Sequence, residues 1–225
     1  MGNYIWDDLQ PKINWSSLLV EYPNRNADDN ANSKLSFNDY AAKVISDIEN
    51  FGKQNLIIVT HSIGGIIGLE VAAHFKNRII GFVGISSAIL KSGNSFISCL
   101  PFPQKFIVPI ILKLAGTKPP KSAIIKGLCS DLNPSQTKKV VENFTPESIN
   151  LYTEKTKSKI PNTKKLYVEL SNDKEFPVSV QKKMAENLNC REIVTLESGH
   201  LPMISIPEKL AEVLNGFIAA CVEED

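Results

Sequence analysis

The chain has 225 residues, 43% of them hydrophobic, and a formal net charge of +1. That length and apolar content can bury a sizeable core and point to one domain rather than two. The near-zero charge gives no overall drive toward nucleic acid or anionic membrane, and no apolar run approaches a bilayer span.

The first six residues have neither the basic stretch nor the apolar run of a secretory signal, and Trp6 stands where a myristoylation signal wants Ser or Thr. Cys99, Cys129, Cys190 and Cys221 are scattered without metal-type spacing. They read as reduced thiols of a cytoplasmic protein, with no metal site. Residues 1–14 carry helix-like apolar spacing interrupted by Pro11. Residues 18–22 read as a short strand ending at Pro23, and residues 24–33 as a polar loop.

Ser36 opens a helix, with Asp39 at capping-box spacing. Phe37, Tyr40, Ala41, Val44, Ile45, Ile48 and Phe51 follow the 3.6-residue period, and Gly52 stands where such a helix stops. Residues 56–59 are a β-branched apolar run, the mark of a strand buried on both faces. The run leads into Thr60-His61-Ser62-Ile63-Gly64 and then a second apolar stretch, rich in small residues and long enough to be a helix. This is a G-x-S-x-G nucleophile elbow with Thr60 in place of the first glycine. Small residues suit it because the serine occupies a strained turn at a helix N-terminus, where the Ile63 N–H can donate to a developing oxyanion. The competing reading makes Ser62 a helix N-cap and the glycines mere packing residues.

Residues 78–86 form a further buried strand, after which the α/β rhythm stops. Residues 90–162 hold apolar stretches broken by Pro101, Pro103, Pro109, Pro119 and Pro120, which predicts short helices with breaks. The region carries eleven lysines against Asp131, Glu142, Glu147 and Glu154, and reads as an inserted helical lid with a solvated basic face. Strands resume at 165–170 and 192–196. The first runs into Asp173, the second into Gly199-His200, and a helix closes the chain.

Ser62, Asp173 and His200 thus lie just past the ends of three strands. In an open parallel sheet that is the crevice where ligands bind. A serine needs a base to take its proton, and histidine suits that near neutrality. The histidine needs a carboxylate to fix its tautomer. Glu175 is a rival carboxylate two residues from Asp173, and His61 is a rival base whose place beside the serine suits it poorly. The expected architecture is α/β: a mostly parallel sheet flanked by helices, one domain over 1–225 with the lid at 90–162.

Residues 2–11 with Ile5-Trp6, 36–68, 165–177 and 199–214 resemble the α/β-hydrolase superfamily. Within it they are most similar to small lidded esterases related to plant methyl esterases and hydroxynitrile lyases. The resemblance implies Ser62 as nucleophile, Asp173 as acid, His200 as base and the Ile63 N–H as one oxyanion donor. The chain departs from the family at Thr60. It departs again at its start, because family members begin with additional strands, the last ending in a His-Gly loop that supplies the other donor. Here the sequence opens where that loop would finish. Either upstream sequence supplies the donor, or Met1 and its neighbours substitute.

The implied activity is a serine hydrolase acting on small to medium hydrophobic carboxylic esters through an acyl-enzyme, with no metal or organic cofactor. Its partner is a small-molecule ester; nucleic acid and stable membrane insertion are not expected, and oligomeric state is not encoded legibly. Two alternatives stay open: a weakened or non-catalytic ligand-binding homologue, and a C–C or cyanohydrin lyase using the same triad.

Overall fold

The computed structural model describes residues 1–25, 30–157 and 159–223, so residues 26–29 of the polar loop lie outside the described residues. The chain enters through two 3-10 turns, Asn3–Trp6 and Gln10–Lys12, the second holding Pro11. Helix α1 spans Phe37–Phe51. Its capping box is formed on both sides, the Ser36 hydroxyl accepting from the Asp39 N–H and the Asp39 carboxylate from the Ser36 N–H. Gly52 ends it at φ 70°, a left-handed conformation that glycine adopts without a Cβ penalty.

The alternation then runs β1 (Leu56–His61), α2 (Gly64–Phe75) and β2 (Ile79–Ile85). A helical insertion follows: a 3-10 turn at Phe96–Cys99, α3 (Gln104–Ala115), α4 (Lys121–Leu128), α5 (Pro134–Glu142) and α6 (Ile149–Thr153). The core resumes with β3 (Lys164–Leu170), α7 (Val178–Asn187), β4 (Glu192–Leu196), α8 (Pro202–Ser205) and α9 (Pro207–Val222). The four strands form one sheet in the order β1-β2-β3-β4, every neighbouring pair parallel.

The centre of the sheet is covered on both faces, which is why β1 and β2 carry near-continuous apolar runs, whereas the edge strand β4 stays largely exposed. Alternation along each strand sends Phe82 and Tyr167 to the side packed by Tyr40, Ile66, Leu69 and Met184. Val83, Leu166 and Val168 face the other side, against Ile5, Leu210, Leu214 and Phe217. The insertion is fastened to the segment before α1 through buried Glu147, which accepts from Arg25 at 2.5 Å and Asn32 at 3.4 Å.

The strand expected at 18–22 is not formed. Apolar β-branched composition favours a strand only where a partner edge lies alongside. Here residues 18–22 and β1 both line a cavity of about 940 Å³ instead of pairing.

Candidate active site

The sheet delivers three polar side chains to one place. Ser62 follows β1 at φ 53°, a left-handed value that costs a non-glycine residue of the order of 1–3 kcal/mol and persists only where neighbours enforce it. The enforcement is visible. The Ser62 N–H donates to the Ile85 carbonyl at 3.3 Å. The Ser62 carbonyl accepts from the N–H groups of Gly65 (3.2 Å) and Ala88 (2.8 Å) and from the Ser87 hydroxyl (3.3 Å).

The crowding that demands glycine sits one residue later than the motif implies. A Cβ on Gly64 would stand 3.6 Å from the Tyr22 hydroxyl, an ordinary contact. On Gly65 it would stand 2.4 Å from Ser87 Oγ and 2.5 Å from the Ala88 carbonyl oxygen. The bulk of Thr60 is accommodated by Gly68, whose absent Cβ would lie 2.2 Å from Thr60 Cγ2. The Thr60 hydroxyl lies 2.9 Å from both the Val83 carbonyl oxygen and Ser87 Oγ, giving β1 and β2 a further link next to the elbow.

His200 lies 3.0 Å from Ser62 Oγ through Nε2 and 2.8 Å from Asp173 Oδ2 through Nδ1. The carboxylate is saturated. Oδ2 also accepts from the Ser86 hydroxyl at 2.7 Å, and Oδ1 accepts the backbone N–H groups of Glu175 (2.8 Å) and Phe176 (2.9 Å). Burial acts to raise the Asp173 pKa, but the His200, Phe176 and Ser86 contacts outweigh it and hold the carboxyl below its usual range. Glu175 therefore contributes its backbone to Asp173, while its side chain lines the cavity. That side chain keeps solvent contact at the cavity wall, yet the surrounding protein desolvates its carboxyl enough to raise the pKa.

Three further residues hold this arrangement, and two of them, Ser86 and Gln181, are not among the sequence candidates. Ser86, fully buried at φ 38°, anchors Asp173. It follows β2 directly, so the strand-end logic that picks out the other three would also pick it out. Gln181 on α7 closes the end of β3, accepting from the Leu170 N–H at 2.8 Å and donating to the Leu170 carbonyl at 2.9 Å and the Phe176 carbonyl at 2.6 Å. His61, the rival base, has its Nε2 2.7 Å from the His200 carbonyl oxygen, so it ties the loop rather than the hydroxyl. Burial, then the nearby His200, pushes its pKa far below the ordinary histidine value.

Ser62, Ile63 and His200 open onto the 940 Å³ cavity, whose wall also includes Phe96, Val108, Leu112, Tyr152 and Phe176. Met1, Gly2 and Asn3 line it as well, with the Asn3 N–H directed at the Glu21 carboxylate at 3.2 Å. Among the described residues no His, Cys, Asp or Glu cluster is arranged to hold a metal ion. None of their helices is long and apolar enough to cross a membrane.

A family model described as the alpha/beta hydrolase family matches residues 4–213. A pyrethroid hydrolase of Sphingobium wenxiniae is 22% identical over 207 residues, covering 82% of this chain and 71% of that protein. An extracellular alpha/beta-hydrolase from a Paenibacillus species superposes with a TM-score of 0.84 at 17% identity, over 95% of this chain and 93% of that one. A methylesterase from Arabidopsis gives a TM-score of 0.77 at 18% identity, over 97% and 94%. At such identities the structural likeness speaks for the fold.

Proposed function

The chain belongs to the alpha/beta hydrolase family, and on that premise we propose that it is a serine hydrolase of carboxylic esters, with Ser62, His200 and Asp173 as its triad. The observation that carries this reading is the unbroken line of contacts from Ser62 Oγ through His200 to Asp173, at 3.0 and 2.8 Å. Similarity to a pyrethroid hydrolase and a methylesterase supports ester chemistry.

In this mechanism Ser62 Oγ attacks the acyl carbon while His200 Nε2 takes the hydroxyl proton. Asp173 accepts from Nδ1–H, which leaves Nε2 as the basic nitrogen and stabilises the imidazolium. The oxyanion forms beside the N-terminus of α2, where the Ile63 N–H donates to it. Collapse breaks the bond to the alcohol oxygen, and His200 returns its proton to that oxygen. Water then attacks the acyl-enzyme with His200 again as base, releasing the acid and restoring Ser62. No metal or organic cofactor enters these steps.

The apolar cavity wall favours a small to medium hydrophobic acyl or alcohol group. Residues 90–162 act as a lid on one domain spanning 1–225, since Val108 and Leu112 of α3 form part of that wall. The four cysteines are thiols, which suits a reducing cytoplasm.

The test is covalent labelling by a fluorophosphonate probe together with hydrolysis of nitrophenyl esters. The wild-type protein is expected to label and turn over, and Ser62→Ala to do neither while keeping its circular dichroism spectrum. Equal labelling of Ser62→Ala would remove the serine assignment. Cleavage of a cyanohydrin without ester turnover would move the chain to lyase chemistry.

A further inference from the structure

Helix α3 leaves most of its apolar surface uncovered. Its sequence is apolar at eight of twelve positions, counting Ala115 and leaving out Pro109, yet not one of its residues is buried. An apolar helix of a globular chain normally turns its stripe into a core. Here Val108 and Leu112 turn toward the cavity, and the rest faces solvent. Phe102 (79% exposed), Phe106 (59%), Ile110 (60%) and Leu114 (82%) follow one another at four-residue spacing, a single row along the outer side. Ile107 and Ile111 on the same helix widen it, and Ile125 on α4 is a further exposed apolar side chain. Monomeric soluble proteins rarely show a contiguous apolar patch of this kind without a partner for it.

The charge around the row has one sign. From residue 91 to residue 130 the sequence holds six lysines and no Asp or Glu. Lys105, Lys113, Lys121 and Lys126 are all exposed, and the Lys105 ammonium lies 5.0 Å from the centre of the Phe106 ring. Long lysine stems beside aromatic and aliphatic side chains let the apolar groups descend while the ammonium groups stay at the polar level.

We propose that α3 and the start of α4 form a docking surface for an anionic phospholipid membrane. A twelve-residue helix is about 18 Å long, too short to span but suited to lie in the plane of the headgroups. An apolar row flanked by lysines is the composition such a position requires, with each lysine adding attraction to acidic headgroups. A second copy of the chain fits less well, because a two-fold contact would bring the same basic flanks against each other. Val108 and Leu112 on the inner side of α3 line the cavity, so a docked molecule brings that wall of the cavity close to the layer in which hydrophobic esters dissolve.

Flotation of the full chain with vesicles tests this without any substrate, so its outcome is separate from that of the esterase reading. The expected result is binding to phosphatidylcholine vesicles carrying roughly a third phosphatidylserine, little binding to pure phosphatidylcholine, and release at about 1 M salt. Phe106→Ser with Leu114→Ser, and separately Lys113→Glu with Lys121→Glu, should each lower the partition coefficient on the order of tenfold or more. Retained circular dichroism and thermal transition show that these surface variants are folded. No binding to either vesicle, equal binding to both, or variants that bind like the wild type would overturn the proposal. So would a dimer in sedimentation that Phe106→Ser with Leu114→Ser dissociates, if that dimer ignores vesicles.

Discussion

The two flanks of β1 are built differently. On the β2 side the five residues 57–61 run in register with 81–85 after a shift at Leu56, the Thr60 hydroxyl reaches the Val83 carbonyl, and the elbow carbonyl accepts three donors. On the other side Ile57, Ile58 and Val59 line the cavity, which residues 18–22 also line without pairing. The contrast divides labour within one strand. In the proposed reaction the atoms that must be placed to a few tenths of an ångström lie on the closed flank, and room for a variable group lies on the open one.

The sharpest way to break the closed flank is through its carboxylate. Asp173→Asn keeps the shape but presents the wrong hydrogen-bonding partner to His200 Nδ1. The loss expected in kcat is about 10³–10⁴-fold, measured with a nitrophenyl ester. Glu175→Gln, which leaves the backbone N–H on Asp173 Oδ1 intact, should change kcat by less than roughly tenfold. The reverse ranking would transfer the orienting role to Glu175.

Next in size is the pair of adjacent glycines. Gly65→Ala drives a methyl against the Ala88 backbone and should cost roughly 3 kcal/mol or more, or prevent folding. Gly64→Ala meets only the Tyr22 hydroxyl at an ordinary distance, and should stay within about 1 kcal/mol of wild type in urea denaturation. Similar costs for both would mean that the closeness to the β2 side is not what selects glycine. Gly68→Ala sharpens the point further. It should cost about 1–3 kcal/mol alone and much less in the Thr60→Ser background, where the methyl at 2.2 Å is gone and the hydroxyl contacts remain. Additive costs in that double-mutant cycle would dissociate Thr60 from Gly68.

The closed flank is also the part most legible in the sequence. Four of the five expected strands form, because β-branched runs bounded by polar residues need only a neighbour, and the sheet supplies one. The capping box at Ser36 and the stop at Gly52 are local chemistry and can be read from a handful of residues. Residues 18–22 are a shorter apolar run with a single β-branched residue, Val20, and lie beside the cavity, and composition carries no record of whether a partner edge is present. The elbow motif points to Gly64, whereas the contact that requires glycine is at Gly65, since approach to Ser87 and Ala88 depends on the β2–insertion junction in three dimensions. Ser86 acts through one tertiary hydrogen bond and Gln181 through three, and such bonds leave no periodicity to find. The excess of lysine over residues 90–162 is legible in the sequence, but which apolar residues of that insertion stay outside is not.

The smallest effect concerns His61, where the two flanks meet. It ends β1, faces the cavity, and holds the His200 carbonyl at 2.7 Å, with Trp6 edge-on at 6.4 Å and the His200 ring at 4.6 Å. Burial and the neighbouring His200 favour its neutral form, while the His200 carbonyl and Asp173 favour the charged one and are outweighed. A histidine whose folded pKa lies below its unfolded value contributes fully above about pH 6.5, and that contribution is lost as the pH falls below it, because the unfolded state binds the extra proton. With one such group the loss reaches about 1.4 kcal/mol at about pH 5.5 relative to neutral pH. His61→Gln preserves a donor toward the His200 carbonyl but cannot titrate. Whatever it costs at neutral pH, its unfolding free energy should fall less than that of the wild type between about pH 7.5 and pH 5.5, by roughly that amount. Groups common to both proteins cancel in this comparison. Parallel pH profiles would mean that the His61 ring takes up its proton as readily folded as unfolded, and the strand end would then be open to water on both flanks.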